Sequence, residues 1–245
     1  MQKFFIDEEI FEQKKISGDI AFQIRNVLRY TVDSQFLIGV TGKTYLVKIQ
    51  KMTSNEVFFE VLEEKELKSE MPIRIDLFQG FPKKDKMEHI IKYSTQLGIH
   101  AITPVMMMRS IVKLEESKKD SRRLRYQKIA TEAAEQSLRE VVPAIKPILA
   151  LKQIDFSEYD LKLVCYEEAA KKMELTRFKE AIQGLNPSQK CAILVGPEGG
   201  IAPDEIEYLK EKGFICVGLG PRILRTETAI LYALSAISYE WELRK

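Results

Sequence analysis

Arg222, Arg225 and Glu227 follow one another within six residues, directly after the turn Gly218-Leu219-Gly220-Pro221. A second glycine-rich loop, Gly196-Pro197-Glu198-Gly199-Gly200, lies upstream of it. Glycine lets a chain take positive φ or approach a ligand closely, and leaves main-chain N–H and C=O groups as the contacts. Each loop follows a short apolar run, residues 191–195 and 214–219, that does not alternate with polar residues. Such runs predict strands buried on both faces of a parallel sheet. Ligands of these sheets bind at the carboxyl ends of the strands, where both loops sit. One glycine loop can be a plain strand-to-helix turn. Two in tandem, followed by two guanidiniums and a carboxylate, are more than turning requires. Neither loop has the G-x-G-x-x-G or G-x-x-x-x-G-K-[ST] spacing of nucleotide sites. The pair therefore predicts a pocket for a small molecule other than a nucleoside triphosphate.

The stretch LVGPEGG followed by LGPRILRTETA resembles the C-terminal signature of the ribosomal RNA small-subunit methyltransferase E (RsmE) family of the SPOUT superfamily. The resemblance implies an α/β fold, the SPOUT α/β-knot, in which a deep C-terminal trefoil knot is built into a mostly parallel sheet over residues 71–245. A small PUA-like β-barrel that binds RNA would precede it, over residues 1–70. Knots are nearly absent from proteins, and no periodicity argument finds one. The implied cofactor is S-adenosyl-L-methionine (SAM), with no metal, held by Leu194, Val195, Gly196, Pro197, Glu198, Gly199, Leu219, Gly220, Ile223, Leu224, Arg225 and Thr228. The implied reaction is methylation of N3 of one uridine in the decoding region of 16S rRNA, in an assembled or nearly assembled small ribosomal subunit. A homodimer with composite sites, formed through the C-terminal helix, is implied too.

A sulfonium methyl is already activated, so transfer needs an aligned nucleophile more than covalent catalysis. Uracil N3 becomes nucleophilic as its proton leaves. A cation near O2 or O4 would stabilise the anionic ring, and a carboxylate would take the proton. Arg139 and Arg225 are the candidates for the first role, Glu135 or Glu227 for the second. Glu227 equally suits a helix N-terminus, where negative charge is favoured anyway. The base must leave its stack to be reached, so pocket shape and flanking phosphate contacts would set specificity.

The elements that must position these groups are legible in outline. Residues 73–78 predict a strand, about 86–97 a helix stopped by Gly98, and 101–105 a second strand, a parallel pair with a crossover. A polar helix is predicted over about 121–138, with Ile129, Ala133, Gln136 and Glu140 on one face and Glu132, Glu135 and Arg139 on the next. An ordinary amphipathic helix explains that spacing. Its match to the family's A-x-E-Q-x-x-R element, Ala133 to Arg139, implies a face turned to the active site. Residues 162–166 predict a strand and 177–183 a short helix. The last helix is expected to be capped by Thr226 and to bury Ile230, Ala233, Leu234, Ile237 and Trp241. Short β-rich runs at 4–6, 26–29, 36–40, 44–49 and 57–61, separated by turn residues, predict the small barrel. Gln23, Lys3, Lys84, Tyr93 and Gln96 depart from the family pattern.

Composition bounds the rest. The chain has 245 residues, 45% hydrophobic and 30% charged, as in globular proteins rather than disordered ones. No apolar run approaches the roughly 18–20 residues of a membrane span. Acidic residues stand where a signal peptide would have its apolar stretch, which predicts a cytoplasmic protein. Cys165, Cys191 and Cys216 lack metal-ligand spacing and are expected to be buried apolar residues. His89 and His100 are too few for a histidine-rich metal site, and they argue against a Ser/His triad. The net charge of +2 is unevenly spread: residues 1–70 sum to −2, 71–150 to +6 and 151–245 to −2. Two basic clusters, 83–86 and 118–125, suit a phosphate backbone, although either alone reads as a solvated helix face. The candidate RNA contacts are Arg25, Arg29, Lys83, Lys86, Arg109, Arg122, Arg123 and Gln136. Two other readings stay open. One is a SPOUT methyltransferase for another rRNA or tRNA position, against which the barrel pattern and the Glu135-Gln136 element argue. The other is a non-catalytic RNA-binding assembly factor, which would have no need of unbroken glycine loops.

Overall fold

Alternating apolar residues between Phe36 and Val61 bury one face of a curled antiparallel sheet. The computed structural model describes residues 1–112, 114–171 and 176–244. It divides into one unit of Met1–Glu70 with Ala134–Val141, and another of Met71–Ala133 with Val142–Lys245. The first unit runs β1 (Lys3–Phe5), α1 (Glu8–Gln13), β2 (Lys15–Ser17), α2 (Gly18–Phe22), β3 (Gln35–Val40), β4 (Lys43–Met52) and β5 (Glu56–Lys65). Sheet order is β1-β3-β4-β5-β2, antiparallel except for the parallel β1–β3 pair. Thr41 and Gly42 join β3 to β4 with φ of 46° and 79°, the left-handed pair that a tight hairpin turn needs. Register shifts at Leu46/Val47 and Ile49/Lys51 bend β4 against β5 around a core of Phe4, Phe36, Ile38, Val47 and Phe59.

Residues 26–29 are not the expected strand. A π-helical turn, Gln23–Val27, continues α2, and Arg29 follows it at φ 56°. Ile20, Ile24 and Leu28 recur at helical spacing and pack on the core, so the period of four overrides β-propensity. The 134–141 segment completes this unit. Lys3, fully buried, donates to Thr44 Oγ1 and to the Arg139 carbonyl, both at 2.6 Å. Burial pulls its pKa down to about 8 against three nearby glutamates. Phe5 N–H donates to Glu135 Oε1 at 3.0 Å. Arg139, 3% exposed, donates from Nε to Glu70 at 3.2 Å, and Glu70 also accepts the N–H of Glu140 and Val141. Burial would raise the Glu70 pKa; Arg139 and those N–H groups outweigh it and hold the carboxyl below its usual range.

The second unit continues with β6 (Arg74–Gly80), α3 (Lys86–Gln96), β7 (Ala101–Met106), α4 (Glu116–Gln136), β8 (Ala144–Ile145), β9 (Leu149–Ala150) and β10 (Leu161–Cys165). Then come α5 (Glu167–Lys171), α6 (Thr176–Gln183), β11 (Lys190–Val195), α7 (Pro203–Glu211), β12 (Ile215–Val217) and α8 (Thr226–Ser238). All its strand pairs are parallel, in the order β12-β10-β11-β6-β7-β8, with β9 also on β7. The non-alternating runs bury both faces. Ile75, Leu77, Cys191, Ile193 and Leu163 meet α3 and α8 on one side, and Phe78, Ala192, Leu194 and Val164 meet α7 on the other. Gly98 stops α3 at φ 85°. Ile230, Ala233, Leu234 and Ile237 are fully buried, and the Trp241 indole donates to the Ile182 carbonyl at 3.0 Å. Cys191 is buried, while Cys165 and Cys216 are half-buried; burial pushes the Cys165 and Cys191 thiols up to about 12.

Candidate functional site: a cavity at the carboxyl ends of the strands

Parallel register brings three strand ends level. Cys165 pairs with Val195 and with Val217, and Val195 pairs with Gln79. A cavity of about 460 Å³ opens where these strands stop, lined by the 196–200 loop, the 222–226 segment, Cys165 at the end of β10, and Tyr166 and Glu167 after it. That volume lies in the range of small-molecule sites, roughly 300–1,000 Å³. Its walls are apolar at Val195, Val217, Leu219, Ile223, Leu224 and Ala229, and charged at Lys86, Glu167, Glu198, Arg222 and Arg225.

Close backbone packing holds the loops. A Cβ on Gly80 would lie 2.5 Å from Pro197 Cδ and 2.6 Å from Pro197 N, so only glycine lets β6 pass this near the 196–200 loop. A Cβ on Gly196 would meet Ile201 Cγ1 at 2.6 Å. Gln79, fully buried, donates to Thr226 Oγ1 at 2.8 Å, and Thr226 in turn donates to the Gly196 carbonyl at 2.6 Å. This relay joins β6, β11 and the first turn of α8. Thr226 is therefore not the cap expected of it: Arg225 takes that position, without a side-chain cap bond, and the threonine hydroxyl is spent between strands.

Lys86 adds an ionic link. Its ammonium lies 3.2 Å from Glu198 Oε1 and 3.1 Å from Glu227 Oε2. Burial would lower the Lys86 pKa, but the two carboxylates outweigh it and raise it. Glu198 also accepts the Lys83 N–H at 3.1 and 3.2 Å. Burial opposes its ionisation; backbone N–H groups and Lys86 outweigh burial and hold the carboxyl below its usual range. Arg109 Nη1 donates to the Gly199 carbonyl at 3.3 Å, on the outer side of the same loop.

Of the residues expected to hold a cofactor, Val195, Gly196, Pro197, Glu198, Gly199, Leu219, Ile223, Leu224 and Arg225 line the cavity. Leu194 is a core residue of β11, Gly220 stands at φ 114° near Tyr232, and Thr228 is exposed in the first turn of α8. Arg225 and Glu227 stand in this second unit with the cavity. Glu135 and Arg139 belong to the first unit and to its hydrogen-bond network. Among the expected RNA contacts, Lys83 and Arg109 are exposed, Lys86 is in the cavity wall, and Arg122 borders a groove between α3 and α4 with Lys118 and Arg125. Arg123 stands 3.9 Å from Asp120. Arg25 donates to the Ser54 carbonyl, and Arg29 and Gln136 are exposed. The relay through Gln79 and Thr226 carries no sequence signal, because its members lie 147 residues apart.

Comparison with known proteins bears on this site. Residues 69–238 match the RNA methyltransferase domain family. The chain is 39% identical to the ribosomal RNA small subunit methyltransferase E of Bacillus subtilis (strain 168), covering 99% of this chain and 98% of that one. It is 31% identical to the protein of the same name from Aquifex aeolicus, over 88% and 89% of the two. A crystal structure of the Neisseria gonorrhoeae ribosomal RNA small subunit methyltransferase E bound to S-adenosyl methionine superposes with a TM-score of 0.83 at 30% identity, covering 98% of each chain.

Proposed function

Since this chain belongs to the ribosomal RNA small subunit methyltransferase E family, we propose that it transfers a methyl group from SAM to N3 of one uridine in 16S rRNA. One observation carries the reading: both glycine loops close on a single cavity of about 460 Å³ at the strand ends. The residues there suit SAM. Apolar side chains at Leu219, Ile223 and Leu224 offer faces to an adenine, main-chain groups at the glycines offer hydrogen bonds, and Glu167 and Glu198 offer charge to cationic groups. When bound, SAM supplies a methyl already activated on a sulfonium.

The chain's own task is to prepare the nucleophile. Arg225, exposed at the cavity wall, is the cation placed to stabilise charge on the uracil oxygens as N3 loses its proton. Arg139 and Glu135 are committed to hydrogen bonds in the first unit, which leaves Glu198 and Glu227 beside Lys86 as the candidate proton acceptors. The first unit, with Arg25 and Arg29, and the basic residues of the α3–α4 groove bind the phosphate backbone of the rRNA in the small subunit. The enzyme works in the cytoplasm as a homodimer, and Tyr232 on α8, 44% exposed, offers part of the contact. The decisive experiment supplies labelled SAM to small ribosomal subunits from a strain lacking this gene and identifies the product nucleoside. The expected product is 3-methyluridine in 16S rRNA; label at another position or on another RNA overturns the assignment.

A further inference from the structure

Lys86 is the first residue of α3, where the helix dipole favours an anion and disfavours a cation. A residue that breaks a local preference is held there by something else, and such conflicts concentrate at functional sites. What holds Lys86 is a pair of carboxylates from separate elements, Glu198 of the 196–200 loop and Glu227 of α8. All three side chains are largely shielded, 30% exposed for Lys86 and 23% for each glutamate. Lys86 and Glu198 both line the cavity, and the bridge from Lys86 to Glu227 ties that wall to α8.

We propose that Lys86 is a positioning residue of the cofactor cavity, whose ammonium holds Glu198 and Glu227 together against their mutual repulsion and so keeps the two loops at the spacing the methyl donor needs. The inference rests on the reading of this cavity as a SAM site. Among the described residues, two ties join the 196–200 loop to α8. The Thr226–Gly196 hydrogen bond is neutral and joins backbone to hydroxyl at the strand ends. The Lys86 bridge is ionic and joins the loop's outer residue to the helix. Remove the cation, and two carboxylates that shared it are left facing each other with little water to screen them. The first tie then holds the base of the loop while its tip, Glu198 to Gly200, swings from α8. For a cationic ligand the altered spacing weakens binding, and the surplus negative charge offsets only part of that loss.

The test is calorimetric titration of SAM into the full chain, with Lys86→Met, Lys86→Arg and the double variant Lys86→Met/Glu227→Gln. Lys86→Met should bind SAM about tenfold more weakly than the natural chain. Lys86→Arg, which keeps the bridge, should bind within a few-fold of it. The double variant, which removes one of the two repelling charges, should recover most of the loss, a rescue that no purely steric role of the lysine stem would produce. In methyl-transfer assays of Lys86→Met, which leaves both candidate proton acceptors in place, the KM for SAM should rise with kcat changed much less. Undiminished SAM binding by Lys86→Met, or a double variant no better than the single one, overturns the proposal. So does a fall in kcat at constant KM, which would place Lys86 in the chemical step. Failure of the natural chain itself to bind SAM would instead overturn the reading of the cavity. If Lys86→Met does not fold, Lys86→Gln in both backgrounds gives the same comparison.

Discussion

Thr226 is asked for two hydrogen bonds at once, accepting from Gln79 in the interior and donating to Gly196 at a half-buried site. Thr226→Val keeps the shape and loses both. Gln79 keeps the Gly80 and Val195 carbonyls as acceptors, so the cost is that of two lost hydrogen bonds, about 1–3 kcal/mol. The melting temperature should fall and SAM affinity with it, whereas Thr226→Ser should retain both. A valine variant that melts and binds like the natural chain would show that the relay does not hold the loops. Gly80 gives a sharper case. Gly80→Ala would drive a methyl to within 2.5 Å of Pro197 and push the 196–200 loop off β6. SAM affinity should drop tenfold or more. Gly184→Ala, whose nearest neighbour is 3.4 Å away, serves as the matched control with unchanged affinity. The same geometry makes a bulky residue at Gly196 incompatible with cofactor binding. These residues also mark how far the chain could be read. Gly196 and Gly199 announce themselves because glycine loops after apolar runs are local signals. Gly80 and Gln79 acquire their roles here from neighbours more than a hundred residues away in sequence, and Thr226 from partners 147 and 30 residues away.

Among the elements, the tail of α4 departs furthest from its sequence reading. Its spacing predicts one helical face that carries Glu132, Glu135 and Arg139. In the structure the helix ends at Gln136, and Leu138, at φ 57°, turns the chain so that Arg139 enters the interior of the first unit. Arg139→Ala would strand Glu70, which depends on that guanidinium to stay ionised under burial. Breaking such a pair costs on the order of 3 kcal/mol. Urea denaturation should show that loss in the first unit, and Glu70→Ala combined with Arg139→Ala should cost less than the two single changes added together. Strict additivity would mean that the two residues act independently. Unlike this tail, β6, α3, β7, β10 and β11 fall close to where their patterns predict them. Buried parallel strands and a glycine-stopped helix are specified within a few residues, whereas a segment that joins a unit from 64 residues beyond its main chain is specified by contacts alone.

At the scale of the molecule, acid should act on the second unit through Asp76. This aspartate is 3% exposed, with His100 Nδ1 at 2.7 Å and the Tyr159 hydroxyl donating at 2.8 Å. Burial works to raise its pKa, but His100, Tyr159 and Arg74 outweigh it and hold the carboxyl below its ordinary value. The unfolded chain therefore takes up a proton near pH 4 that the folded chain refuses. The stability so contributed is fully present above about pH 4 and is lost as pH falls through the folded-state value. Asp76→Asn should be less stable at pH 7, and its deficit relative to the natural chain should narrow from pH 5 to pH 3; a constant deficit would sink the electrostatic account. The union of residues 134–141 with Met1–Glu70 has a consequence of another kind, in time rather than in space. On the ribosome the amino-terminal unit is made first yet cannot finish, because Lys3 and Glu70 wait for Arg139. At roughly 5–20 residues per second, about 4–14 s of synthesis separate its two parts. Throughout that interval the nascent chain carries a buried-lysine site with Thr44 in place but without the Arg139 carbonyl. Translation arrested with residue 100 outside the exit tunnel should leave this unit open to protease, and arrest past residue 141 should close it.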